Sequence, residues 1–504
     1  MSAIRVLYGD RDTYGVQKSA ADEIESIFGI KWDTIAWDGK VEVPDVPTNN
    51  DLGNDLSAVL GKEKVSLDPS VRLKHSFGLS SIEVEMIREG KYPDIVDAVV
   101  EPDKEDLPKL MAFLKTNGIR SIIFGGGTSV NGSLLFRRNG RTVAISVNRM
   151  KAFRLLENLA VVGSGWKGLE LEKKLNESGF TTGHFPESML SSTVGGWIAT
   201  KAAGQESNYY GSIENRVTGV SLVRSDGQLE DIMSPRESSG LMARDLAIGS
   251  EGRFGLISEA TIKVDRLPAR RYYRSFIVRD FEAGIEYMRG LDKIPALVRM
   301  SDAAETEFSF KNTEESFGLR YVRKRIAMKG FREPCLMIMI DNDQDRITRP
   351  DNSIPLGKSP AVMWERDRYE RPYLGNELWK RGIVPDTLET SALWHNMVEL
   401  HRSTVGCFED IRKERGIRGF IMSHISHLYR QGACIYFTFA IRSGDELDDI
   451  SAVRDAILKN FISHGSPVTH HHGPGTLMRK YEDREKLNMQ LKFTDPVFAG
   501  GDIY

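Results

Sequence analysis

The residues of this chain that most plainly invite chemistry are three consecutive glycines, Gly125-Gly126-Gly127, preceded by Phe124 and followed by Thr128-Ser129-Val130. Glycine has no Cβ, so the backbone can turn sharply and expose clustered N–H groups, and such a concavity attracts anions, phosphates above all. Thr128 and Ser129 add hydroxyl donors. A lone triple glycine is equally an ordinary turn. Two further glycine-rich runs, residues 192–196 and 249–255, shift the reading toward a ligand. Two commoner phosphate loops are excluded. The dinucleotide fingerprint needs a third glycine where Val130 stands, and the P-loop needs Gly-Lys-Ser/Thr where the chain reads Gly132-Ser133-Leu134.

A second set of candidates lies toward the C-terminus: the triplet His470-His471-His472, and Tyr436, which only a family resemblance singles out. In an extended run His470 and His472 would share one face and His471 would point away. A phenol acts as a base only if neighbouring cations or donors lower its pKa from about 10, a field the histidines could supply. The bland alternatives are a core aromatic among Ile435, Phe437 and Phe439, and a solvated or metal-collecting histidine loop.

The elements that must position these residues can be read in part. Residues 95–100 are apolar and β-branched; Leu107, Leu110, Met111 and Leu114 then fall at helical spacing, and Gly118 suits the position after a helix end. A strand over 119–124 delivers the chain to the glycine loop. Strand 159–163 and helix 166–178 follow, then strands 220–223 and 228–232 around the hairpin signal Asp226-Gly227, then strand 255–264. The stretch 266–271, with Pro268, reads as a domain joint. Beyond it come strand 275–278, helix 281–290 and strand 296–300, a polar segment 341–372 without a helical stripe, and a helix from Val453. The expected division is an N-terminal arm (1–90, turn-rich at 44–54), a first domain (91–267), a second (268–455) and a C-terminal segment (456–504).

A length of 504 residues suits two or three domains. The net charge of −3 argues against nucleic acid as the main partner. No apolar run reaches the roughly 18 residues of a membrane span, and neither a signal-peptide pattern nor a terminal Ser-Lys-Leu is present, so a cytoplasmic location is expected. Three scattered cysteines fit a reducing compartment.

Taken in order, Gly125–Val130, Thr182-Gly183-His184-Phe185-Pro186-Glu187-Ser188, Ser192-Thr193-Val194-Gly195-Gly196-Trp197 and Gly249-Ser250-Glu251-Gly252 resemble the FAD-binding superfamily of the vanillyl-alcohol oxidase or p-cresol methylhydroxylase type. Within it the chain is similar to the alkyldihydroxyacetonephosphate synthases and their bacterial relatives; Asn208-Tyr209-Tyr210-Gly211-Ser212-Ile213-Glu214, Glu389-Thr390-Ser391, Gly432-Ala433-Cys434-Ile435-Tyr436-Phe437 and His470-His471-His472-Gly473 support this from about residue 70 to the C-terminus.

The resemblance implies an α+β fold: a two-subdomain FAD-binding domain plus a ferredoxin-like α/β cap that holds the substrate. It implies that Gly125 to Ser129 bind the pyrophosphate of FAD, with Phe124 and Val130 also at the cofactor. Pro186, Glu187, Ser188, Ser192, Thr193, Gly195, Gly196, Trp197, Glu251, Gly252, Gly255 and Ile257 would line the rest of the cofactor. The pyrophosphate loop holds no histidine, so noncovalent FAD is expected. Tyr436, His470, His471, His472 and Arg299 would be catalytic, with Arg430, His424 and His427 near the substrate.

Related hydroxy-acid dehydrogenases carry a metal on a His…His and Glu-His-Gly set. Here His471 replaces the glutamate before His472-Gly473, so no metal is expected. In the synthases an arginine that binds substrate precedes the Glu-Thr-Ser element; the matching residue is Gly375, with Arg371, Arg381 or Arg430 able to reach in.

The expected function is therefore a FAD-dependent oxidoreductase, oxidase or dehydrogenase, taking hydride to flavin N5 from a small hydroxylated or carboxylated, possibly aromatic, substrate. Oxygen or another acceptor would reoxidise the flavin, and the family suggests a homodimer. The alternative is a synthase-like ether-lipid transferase working through a flavin N5 adduct, without net redox. A noncatalytic flavin-binding protein is the third reading.

Overall fold

Leu107, Leu110, Met111 and Leu114 are all buried on one face of the helix Leu107–Thr116, and the left-handed Gly118 (φ 59°) turns the chain into the strand Arg120–Phe124. The structure, a computed structural model, describes residues 3–11 and 13–498. The strand runs parallel to Thr142–Ser146, which is parallel to Ala98–Val100, with Val65–Ser66 antiparallel at the edge. Residues 50–60, expected in a peripheral arm, belong to this subdomain: Leu52, Leu56 and Leu60 of the helix Asn50–Leu60 enter the same core as Leu110. The turn-rich stretch becomes helical because the Asn49 side chain caps it, accepting the Leu52 N–H at 3.0 Å.

A second subdomain is a five-stranded antiparallel sheet centred on Val217–Arg224 and Leu256–Lys263, with the hairpin to Gly227–Glu230 where Asp226-Gly227 placed it. The helices Gly168–Asn176 and Val194–Thr200 contribute Leu171, Leu175, Trp197 and Ile198 to its core.

From Arg271 the chain builds a seven-stranded antiparallel sheet, ordered Ile354–Gly357, Arg271–Val278, Cys335–Asn342, Leu297–Ser301, Arg418–Leu428, Gly432–Arg442 and Val384–Leu393. One face packs against the helices Phe281–Arg289, Trp394–Glu414 and Glu446–Ser463 through Met300, Met337, Met339, Leu388, Ile425, Ile435 and Phe437. Strand side chains alternate between faces, so their neighbours Arg299, Ser301, Glu389, His424 and Tyr436 point the other way, toward the first domain.

The polar segment 341–372 is not structureless. It contains Ile354–Gly357 and the helix Ser359–Asp367, which buries only Ala361 and Trp364 and so leaves no full apolar stripe in sequence. The helix expected from Val453 starts at Glu446, because Asp445 caps it by accepting the Asp448 N–H. The C-terminal segment returns to the first domain, where the Val497 carbonyl accepts the Ser121 N–H at 2.6 Å. The last residues of that expected segment, including the terminal tetrapeptide, lie outside the described residues.

Candidate active site

The glycine loop sits where the parallel strand ends, pressed against the turn before the helix Val194–Thr200. A Cβ on Gly126 would lie 2.1 Å from the Ser191 carbonyl oxygen, and Gly127 has φ 63°, so neither position accepts a side chain. Among the described residues, no protein acceptor takes the main-chain N–H groups of Gly125 to Val130. Such a run of free donors in a partly buried turn fits a diphosphate. Phe124 does not face the cavity; its ring packs on His75, 4.2 Å between centroids, and forms the floor under Gly127.

The neighbouring loops are fixed by their own bonds. Thr193 caps the helix by accepting the Gly196 N–H at 3.3 Å, and the buried Trp197 indole donates to Ser192 Oγ at 2.8 Å. Glu251 ties the domain to the returning C-terminus: its carboxylate accepts from Ser133 Oγ (2.8 Å), the Gly475 N–H (2.9 Å) and Arg479 (3.2 Å). Pro186, Glu187, Ser188, Gly252, Gly255 and Ile257 all line the same cavity, of about 1050 Å³.

The opposite wall is the cap sheet. Register places Ser301 beside His424, His424 beside Tyr436, and Tyr436 beside Glu389, a cross-strand row of functional groups on one face. Arg299 donates to Ser301 Oγ at 2.8 Å and pairs closely with Glu305, from the helix Ala303–Lys311. Burial alone would raise the Glu305 carboxyl, but Arg299 and then His424 outweigh it and hold it well below the usual carboxylate range. His424, 3.2 Å from Glu305 and stacked on Tyr436 at 5.0 Å, is pushed down to about 4 by burial and by Arg299. It is neutral at pH 7.

The histidine triplet is not extended. The Glu389 carboxylate accepts the N–H groups of His470, His471 (3.2 Å) and His472 (3.2 Å), with Thr469 Oγ1 at 2.6 Å and His472 Nδ1 at 3.1 Å. Three successive amides converging on one carboxylate curl the loop and break the alternation expected of a strand. As a result His471 and His472 line the cavity, whereas His470 turns aside to Tyr429 Oη at 2.7 Å. This corrects the expected pairing of His470 with His472.

A second correction concerns Tyr436. Burial pushes its hydroxyl well above the ordinary value, and burial also pushes His471 and His427 well below theirs. Those two imidazoles, held neutral, do not bring the phenol down as expected from the sequence.

Arg430 lies on the exposed hairpin turn between Leu428 and Gly432, outside the cavity, and its carbonyl accepts the Trp394 indole. Arg381 is bound to Glu377 at 2.7 Å and stacked on Trp32 at 3.5 Å. Of the three substitutes for the Gly375 position, only Arg371 reaches the cavity. His427 is there too, held by Ser207 at 2.7 Å on a bulge with φ 47°.

Sequence reasoning missed Glu305 as a site residue, and it treated Glu389 only as part of a motif. Glu389 gains its meaning from strand register, and Glu305 from the packing of the helix Ala303–Lys311 against Arg299 and His424. Glu389 also stands with Cys434, His470 and His471, four groups whose ligand atoms lie within 4.8 Å, so a carboxylate absent from the Gly473 motif is present in space. Its oxygens are already engaged by the histidine loop.

A glycine cradle with free amides, facing a cap sheet that presents neutral histidines, a phenol and arginines, defines a two-domain flavoenzyme. Comparison with known proteins agrees. Residues 96–232 match the FAD binding domain family, and residues 357–492 match the C-terminal domain of the FAD linked oxidases. The alkyldihydroxyacetonephosphate synthase of Trypanosoma brucei brucei is 29% identical over 475 residues, covering 87% of this chain and 77% of that one. An uncharacterised FAD-linked oxidoreductase of Escherichia coli (strain K12) is 25% identical over 448 residues, covering 84% and 90%. A solved structure of an alkyldihydroxyacetonephosphate synthase superposes with a TM-score of 0.80 at 25% identity, covering 94% of this chain and 90% of that one. The chain thus carries a FAD binding domain and a FAD linked oxidase C-terminal domain, consistent with the p-cresol methylhydroxylase-type superfamily, and its cofactor is FAD. No helix among the described residues is long and apolar enough to cross a membrane.

Proposed function

We propose that this enzyme is a FAD-dependent transferase of the alkyldihydroxyacetonephosphate synthase kind, exchanging the acyloxy group of an acyl-dihydroxyacetone phosphate, which leaves as a fatty acid, for the alkoxy group of a long-chain alcohol without net oxidation. The observation that carries the reading is the shape of the cavity. It runs from the glycine loop past Arg299 and Arg371 into a bay lined by Phe308, Phe310, Leu319, Val322, Leu356 and Met363. A cationic centre continuous with an apolar bay suits a substrate with a phosphate at one end and a long chain at the other. The similarity to synthases along most of the chain supports the same reading.

Bound FAD would supply an isoalloxazine that attracts electrons from substrate carbon. It would be held through the amides of residues 125–130, with no covalent bond to that loop. The chain's own groups do the rest. Arg299 and Arg371 hold negative charge. Neutral His471 accepts a proton at a ring nitrogen, and Tyr436 keeps a proton at Oη for an oxygen that departs or develops charge. His424, 3.2 Å from Glu305, orients Tyr436 through ring stacking.

A second reading is the oxidoreductase on a small hydroxylated acid, for which the arginines and histidines suffice but the apolar bay has no use. Incubation with acyl-dihydroxyacetone phosphate and a labelled long-chain alcohol separates the two. Label incorporated into ether product, with the flavin still oxidised at the end, supports the transferase. Anaerobic bleaching by hydroxy acids, alcohols or phenols, with no incorporation, overturns it.

A further inference from the structure

The N-terminal segment is fastened to the cap helix Pro372–Trp379 at two points. Asn376 accepts the Tyr8 N–H through Oδ1 at 3.1 Å and donates through Nδ2 to the Tyr8 carbonyl at 2.8 Å; Glu377 accepts the Tyr14 N–H at 3.2 Å. Between them Arg11 pairs with Glu370 at 2.9 Å. The seat is close: Gly9 has φ 62°, and a Cβ there would lie 2.2 Å from Tyr373 Oη.

This attachment makes Tyr8 and Tyr14 part of the cavity wall. Tyr8 is 8% exposed, and its hydroxyl has no hydrogen-bond partner among the described residues. A buried O–H without an acceptor is unfavourable, and it is satisfied if a ligand accepts from it. Arg371, at the start of the same helix, lines the same cavity. Its nearest carboxylate, Glu305 at 3.8 Å, is already held closely by Arg299, so the Arg371 fork has donors to spare. One turn on, the wall is open, because a Cβ on Gly375 would meet only Pro385 Cγ at 3.7 Å.

We propose that Tyr8 and Tyr14, with Arg371, form the seat for the phosphoryl end of the substrate, so that the N-terminal arm is a specificity element of the active site. Two phenol donors and a planar guanidinium match the several acceptor oxygens of a phosphate ester. Glu187 also faces this space, its carboxyl raised by burial and lowered by Arg371. The choice of phosphate over another anion rests on the transferase reading.

Calorimetric titration of the full-length FAD-loaded protein with dihydroxyacetone phosphate, inorganic phosphate and dihydroxyacetone tests this. In Tyr8→Phe and Tyr14→Phe, both expected to keep their flavin, affinity for the two phosphates should fall about 10-fold each, and about 100-fold in the double variant. Affinity for neutral dihydroxyacetone should change less than about twofold. If Tyr8→Phe loads FAD poorly, Tyr14→Phe alone decides.

Wild-type affinity for phosphates in the variants overturns the seat, even if ether-product assays support the transferase. So does a wild-type protein that binds neither phosphate. Tyrosine-dependent phosphate binding without ether product supports the seat and removes the transferase reading.

Discussion

The two walls of the cavity are built on different principles. The cofactor wall is main chain: consecutive amides of residues 125–130, made available because glycines admit a neighbouring turn at 2.1 Å. The cap wall is side chain: Arg299, His424, Tyr436 and Glu389 come from four strands and meet only through register. A backbone site is local in sequence and intolerant of added atoms. A register site is scattered in sequence, and its members depend on one another.

The sharpest test strikes the cofactor wall. Gly126→Asp adds a Cβ into the Ser191 carbonyl and a carboxylate beside the phosphates. FAD affinity should drop by roughly two orders of magnitude or more, and the protein should purify without visible flavin absorbance. Flavin retained at wild-type stoichiometry would break the assignment.

On the cap wall the effects should fall on turnover and spare the cofactor. Tyr436→Phe is expected to lower kcat by roughly 10²- to 10⁴-fold, the range for a lost general acid, with the flavin spectrum unchanged. Glu389→Gln removes the charge that gathers three amides and should cost on the order of 10-fold to 100-fold in kcat. Full activity in Glu389→Gln would show that the curl of the histidine loop does not matter.

The pH response sharpens the same contrast. His424, His427, His471 and His184 are all depressed by burial, so the unfolded chain binds protons near pH 6.5 that the folded protein refuses. Stability is therefore fully present above the unfolded value and declines as pH falls toward about 4, where His424 titrates in the folded state. Each histidine contributes up to about 1.4 kcal/mol per pH unit in that window. Denaturant midpoints at pH 7.5 and 5.5 check the direction, and a midpoint that rises on acidification contradicts it.

The smallest effect belongs to Arg430→Ala, which should change kcat/KM by less than about twofold, as surface substitutions away from a site do. A large loss would mean the hairpin turn reaches the substrate.

Much of the architecture was legible because it is encoded locally. Leu107, Leu110, Met111 and Leu114 announced a helix by their spacing, and Asp226-Gly227 a hairpin. The helices Asn50–Leu60 and Ser359–Asp367 were not legible. The first reads as turn residues until its cap is seen, and the second buries too little to leave a stripe.

By itself the sequence determined that a diphosphate could be gripped near Gly126, because free amides and absent Cβ atoms are properties of the chain at that place. Only the tertiary structure decided which charged groups share the cavity. Arg371 enters and Arg430 does not; His471 faces inward and His470 aside; burial pushes the Tyr436 phenol up. Those outcomes turn on burial, strand register and a carboxylate some eighty positions from the loop it gathers, and none is a property of any residue's neighbours in sequence.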